Sequence, residues 1–344
     1  MNKKKIIWAI LFVFIAAFSI WAVTAQSKNF SVTEFLSSIK SARLEWILMA
    51  VICMICYIMF EGLAVLCISK SFGFERKLRN GFVYSAADIY FSAITPSATG
   101  GQPASAFFMI KDKIPPVYVT VILMVNLIMY NLALLSVGLF SLAAFPTIYM
   151  RFDFLARIFM VIGYVVLLGL SFMFFMLLKK EKILYSIMDC LMRVMCKLHL
   201  MHNLEKRQQK LYKTRDDFKL CIQMIEGKGG MLISAFLCNL LQRVFLITIT
   251  LCCYFALHGV SLKGVEIWIT QCFASVGSNS VPIPGSMGVA DFLMLNGFGK
   301  IMGNEMATNL ELLSRSLSFY TCVVLSGVTI LIGYILRRYR RCYK

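Results

Sequence analysis

Pro96-Ser97-Ala98-Thr99-Gly100-Gly101-Gln102-Pro103 interrupts an apolar run where a helix would otherwise continue. Pro282-Ile283-Pro284-Gly285-Ser286-Met287-Gly288 does the same in the last quarter of the chain. Proline removes an amide donor and glycine permits backbone conformations closed to other residues, so each stretch ends one helix and starts another. Pro96, Gly100, Gly101 and Pro103 shape the first break; Pro282, Pro284, Gly285 and Gly288 shape the second. In lipid, irregular backbone survives only where protein or a water-filled cavity satisfies its N–H and C=O groups. Two breaks at corresponding places in two halves of a chain point to a transporter-type binding site.

The composition supports that reading. The 344 residues are 59% hydrophobic and 15% charged, with a mean hydropathy of +0.76. Soluble domains run near half apolar and a quarter charged, so this is a polytopic membrane protein. The net charge of +18 does not indicate nucleic acid. Its basic residues cluster beside apolar spans, where they set orientation and meet anionic headgroups. Most of the twelve cysteines lie inside apolar spans (Cys53, Cys56, Cys238, Cys252, Cys253, Cys322) and read as small buried hydrophobes. No glycine-rich phosphate loop and no zinc-spaced Cys/His set occurs, so neither cofactor nor metal is expected.

Hydropathy and length predict an all-α fold of about six full spans plus two re-entrant half-helix hairpins, forming one integral membrane domain over residues 1–344. The spans are Ile6–Ala25, Trp46–Ile68, Val117–Phe145, Leu155–Leu178, Met231–Leu257 and Glu311–Leu336. Ile6–Ala25 also reads as a signal peptide, but its length favours an uncleaved helix. Gly81–Thr95 enters the first break and Gln102–Ile110 returns from it; Gly264–Ser280 and Val289–Phe298 do so at the second. All four are too short to cross twice. Residues 31–43 read as a short surface helix, and 179–228 as a basic segment whose first part is amphipathic.

Placing Lys3–Lys5 in the cytoplasm and alternating sides puts 26 Lys/Arg inside and 7 outside, with Arg243 and Arg315 within spans. The positive-inside rule is obeyed, with both termini cytoplasmic. Three full spans separate the breaks, so the hairpins enter from opposite sides. Residues 46–145 (break 96–103) and 231–336 (break 282–288) then form an inverted repeat.

Ionisable groups inside spans are costly and face a bundle interior or cavity. Here they are Glu61, Asp88, Arg243, Asp291 and Arg315. Guanidinium groups bind phosphate in a bidentate manner, and the acids pair with them or receive a cationic headgroup. Helices starting at the breaks add free N–H groups and a positive dipole end. Gln102 beside the first break, Asn126 on the third span and Tyr320 near Arg315 complete the candidate substrate-binding set, with no catalytic residue among them. Internal salt bridges and helix–helix hydrogen bonds account for the same residues as well.

With these residues in view, the chain resembles the membrane region of lysylphosphatidylglycerol synthases, the multiple peptide resistance factor family, over roughly residues 5–338. The marks are Thr95–Pro103, Pro282–Asp291, and Arg315 with Tyr320 ahead of Gly327. The second motif usually reads Pro-x-Pro-Gly-Gly-x-Gly-x-x-Glu; here Ser286 replaces a glycine and Asp291 the glutamate. The resemblance implies a bacterial plasma membrane and movement of an aminoacyl-phosphatidylglycerol or related lipid between leaflets. It links the protein to cationic peptide resistance. Phospholipids and the anionic membrane surface are the implied partners, with a second copy or a separate synthase as further ones. In full-length synthases, lysyl transfer from tRNA belongs to a soluble C-terminal domain. This chain stops eight residues after its expected last span, and no residues for that chemistry are visible. A flippase, a phosphatidylglycerol lysyltransferase-type enzyme and a non-transporting envelope partner therefore all remain open.

Overall fold

A computed structural model describes residues 40–95, 99–179, 223, 225, 227–279 and 288–342. The expected span Ile6–Ala25, residues 31–39, most of the 179–228 segment, Pro96, and Pro282, Pro284 and Gly285 lie outside the described residues.

The described chain is helical and has no strand. Its helices are α1 (Leu44–Ser71), α2 (Leu78–Ile94), α3 (Gly101–Lys111), α4 (Pro116–Ala144), α5 (Pro146–Arg151), α6 (Phe154–Lys179), α7 (Gly229–Ala256), α8 (Gly264–Asn279), α9 (Val289–Met302), α10 (Asn304–Arg315) and α11 (Cys322–Cys342). A π turn, Ser316–Thr321, joins α10 to α11 without a break in the helix. Five helices among the described residues are long and apolar enough to cross a membrane: α1, α4, α6, α7 and the continuous Asn304–Arg337 helix. Exposed apolar stripes at helical spacing suit them to lipid: Val161, Val165, Leu168 and Phe172 on α6, and Val324, Val328, Leu331 and Ile335 on α11.

Local chemistry sets the ends. Gly73 at φ 84° closes α1, its N–H bonding to Lys70 O at 2.9 Å in a left-handed cap. Pro116 opens α4 at a position where its missing N–H costs nothing. Thr95 ends α2 in an extended conformation, φ −113° and ψ 145°, as the proline after it requires. The Thr95 hydroxyl donates to Phe91 O at 2.6 Å and accepts from Gly100 N–H at 2.8 Å, so one side chain spans the first break.

Helix pairings fix the directions. α1 and α7 run antiparallel: Cys53 lies beside Cys252, Phe60 stacks on Phe245 at 5.4 Å, and Cys67 lies beside Cys238. α4 and α7 run parallel, since Asn126 meets Asn239 and Tyr130, one turn on, meets Arg243. At one end of the bundle Asp112 collects Arg337 at 2.7 and 2.9 Å, Tyr84 at 2.6 Å, Asn80 at 3.2 Å, and Arg76 through its carbonyl at 2.7 Å. Lys228 bonds Ser71 O at the same end. At the other end Arg43 N–H bonds Ala256 O, Arg151 pairs with Glu266 at 3.1 Å, and Lys300 with Asp153 at 3.1 Å. Residues 70–79, 111–113, 228 and 337 thus meet at one end of the bundle.

The α2–α3 pair begins and ends at the Asp112 end, whereas α8–α9 begins and ends at the Glu266 end. Two large apolar cores and two small clusters fill the bundle. One large core holds Ile58, Ile249, Phe273 and Leu293; the other holds Val65, Tyr84, Ile122 and Ala235. Glu61 and Arg243 lie between them along α1 and α7.

Two sequence expectations change. The last span begins at Asn304, not Glu311, because the polar turn Asn304–Asn309 is already helical and sits at the bundle end, where hydropathy gives no signal. The stretch between the expected spans Val117–Phe145 and Leu155–Leu178 contains the short helix α5, started by Pro146. Gly100 and Gly101 take no positive φ and serve close approach of the backbone.

Candidate functional site

α1 and α7 place the central pair. Glu61 is 8% exposed, Gln242 1% and Arg243 6%. Gln242 Nε2 donates to Glu61 Oε2 at 3.1 Å, while Gln242 Oε1 is buried with no hydrogen-bond partner. Among the described residues, no carboxylate oxygen lies within 4.0 Å of the Arg243 guanidinium. Its Nε is buried without a hydrogen bond, and its Cζ sits 3.8 Å from the centroid of the Tyr130 ring. Glu61 acts on Arg243 through space only. A desolvated guanidinium whose one close partner is an aromatic face retains unused donors and most of its charge.

Both breaks reach this pair. Asp88 on α2 accepts from Gln102 Nε2 at 2.8 Å and from the Ser92 hydroxyl at 3.1 Å. Gln102 is the second residue of α3, just past the first break. A Cβ on Gly101 would stand 2.0 Å from both Asp88 Oδ1 and Ser92 Oγ, so only glycine lets α3 lie this close to α2. Asp88 is within electrostatic reach of Glu61 and Tyr130. From the other side, the Tyr130 hydroxyl donates to Asn279 Oδ1 at 3.0 Å, and Asn279 is the last residue of α8 before the second break.

The second arginine has other partners. Arg315 Nε donates to Asp291 Oδ1 at 2.7 Å, its Nη2 also contacts that oxygen, and Glu311 Oε1 lies 3.7 Å away. Asp291 Oδ2 accepts from Gly288 N–H at 2.9 Å, which ties the exit of the second break to α10. Tyr320 lies in the π turn, within the field of this group. π turns often accompany functional sites.

The structure therefore gathers Glu61, Asp88, Gln102 and Arg243 into one cluster and Asp291, Arg315 and Tyr320 into another. Asn126 accepts from Asn239 Nδ2 at 3.0 Å in the α4–α7 interface, as a helix–helix contact. A cleft of about 360 Å³ lined by Ser41, His258, Asn304 and Glu305 opens at the Glu266 end and includes no residue of either cluster. Sequence reasoning left Gln242, Asn279 and Glu311 out of the site and saw Tyr130 only as part of a polar patch with Asn126 on the third span. Glu311 had a signal, its four-residue spacing from Arg315 on one helix face.

The comparison with protein families bears on all of this, since the model of the lysylphosphatidylglycerol synthase TM region matches residues 6–326. The chain belongs to that family. No curated protein and no solved structure matches it. As a member of the lysylphosphatidylglycerol synthase TM region family it is a multi-pass membrane protein, and the match takes in both breaks, the buried Arg243 and the half-buried Arg315.

Proposed function

We propose that this protein moves a phospholipid between leaflets, with Arg243 as the anchor for the lipid phosphate. One observation carries the reading: a nine-tenths buried guanidinium, with no carboxylate in contact among the described residues, at the point where elements from both breaks converge. A buried guanidinium with no carboxylate in contact leaves donors unused, and an incoming phosphodiester accepts from them in bidentate geometry. The α2–α3 and α8–α9 pairs act as re-entrant hairpins from opposite faces, with Ile6–Ala25 as a sixth full span and the Asp112 end in the cytoplasm. Glu61 and Asp88 balance the site's charge. Arg315, held by Asp291 and Glu311, fixes the second hairpin against α10.

The test is equilibrium binding of fluorescent phosphatidylglycerol to purified protein in micelles. Truncating one partner of a desolvated ion pair costs about 2–3 kcal/mol, so Arg243→Ala is expected to weaken binding about 30- to 150-fold. Equal affinity in a folded variant contradicts the assignment.

A further inference from the structure

The Arg243 cluster holds two carboxylates and one guanidinium in a setting where each uncompensated charge is expensive. With both acids ionised, Arg243 offsets one of them. An anionic phosphodiester then raises the negative excess to two unless a proton joins it. The two acids are not equally provided for. Asp88 accepts hydrogen bonds from Gln102 and Ser92. Among the described residues Glu61 accepts a hydrogen bond from the Gln242 amide alone; the Ser85 hydroxyl lies beside it without a strict hydrogen bond. Gln242 Oε1, buried and unpartnered, is the acceptor that a protonated Glu61 lacks in the ionised arrangement. Rotating that one amide converts a donor to a carboxylate into an acceptor from a carboxylic acid.

We propose that Glu61 is a proton-binding group coupled to the lipid site, taking up one proton from water as an anionic phosphodiester headgroup arrives at Arg243, so that lipid movement and proton movement are linked. This rests on the assignment of Arg243 as the phosphate anchor. The groups facing Glu61 are Tyr57 on its own helix, Asp88 and Ser85 on α2, Tyr130 on α4, Gln242 and Arg243 on α7, and Cys322 at the start of α11. Binding that requires a protonated group weakens by up to about tenfold per pH unit once that group ionises in the free protein. The lipid phosphodiester does not titrate in the range used.

The experiment is the affinity of short-chain phosphatidylglycerol between pH 5.5 and 9.5 for the full chain in micelles. The wild type is expected to hold its affinity on the acid side and lose up to tenfold per unit on the alkaline side. Glu61→Gln, the isosteric neutral form, is expected to give a flat profile, and Asp88→Asn a sloping one. Superimposed wild-type and Glu61→Gln profiles overturn the proposal, and flattening by Asp88→Asn alone overturns the choice of Glu61. If Glu61→Gln does not fold, the wild type decides through calorimetry in buffers of different ionisation enthalpy. At the profile midpoint about half a proton per lipid is expected, and zero overturns the coupling. Absence of binding at every pH overturns the Arg243 assignment itself, a different result from pH-independent binding.

Discussion

Replacing Asp112 with asparagine probes how the first hairpin is tied to the last span. The Asp112 carboxylate receives both Arg337 contacts, the Tyr84 hydroxyl and the Asn80 amide, at side-chain exposures of 13% for Asp112 and 18% for Arg337. Asparagine keeps the shape but removes the charge, and its amide hydrogens face a guanidinium. Breaking a fully buried pair costs about 3–5 kcal/mol; discounting for partial exposure leaves about 2–3 kcal/mol. Unfolding in mixed micelles titrated with dodecyl sulfate, followed by tryptophan fluorescence, reads this loss directly. A cycle with Arg337→Gln should return a coupling above about 1.5 kcal/mol. The pH dependence has a definite sign. Burial alone would raise the Asp112 pKa, but the bonds from Arg337 and Tyr84 outweigh it and hold the carboxyl below the usual aspartate range. The folded state therefore takes up this proton less readily than the unfolded chain. The stabilisation is complete above about pH 4 and disappears as pH falls through the lower folded value, so wild type and Asp112→Asn converge in acid. A cost below about 0.5 kcal/mol at pH 7, or a gap that widens in acid, refutes the reasoning.

Gly101→Ala places a methyl group 2.0 Å from Asp88 Oδ1 and 2.7 Å from the Asp88 carbonyl, so backbone as well as side chain must move. A loss of about 1–3 kcal/mol in the same unfolding assay is expected, together with weaker phosphatidylglycerol binding. Arg315→Ala strands Asp291 and Glu311. It is expected to lower stability more than lipid affinity, whereas Arg243→Ala does the reverse; parallel unfolding and binding measurements separate the two.

The sequence was most legible where composition changes abruptly. The half-helix expected over Gly264–Ser280 is α8, Gly264–Asn279, and Gln102–Ile110 is α3, Gly101–Lys111, because Pro and Gly write their backbone consequences locally. Glu61, Asp88 and Arg243 stood out because charge inside an apolar run is costly and needs a partner or a cavity. What stayed hidden depends on partners far apart in the chain. Nothing near Arg315 announces Asp291, 24 residues away, as its ion-pair partner, and nothing near Arg243 reveals Tyr130 beneath it. The π turn at Ser316–Thr321 has no composition of its own, and the Asn304–Asn309 turn is helical at the bundle end despite its polarity.

The central claim is tested most directly by leaflet exchange of labelled phosphatidylglycerol and lysyl-phosphatidylglycerol in proteoliposomes, with wild type beside Arg243→Ala. The account predicts exchange of at least one lipid by the wild type and its loss, at least tenfold, in the folded variant. Exchange at the wild-type rate by Arg243→Ala, or no exchange of either lipid by folded wild type, contradicts it.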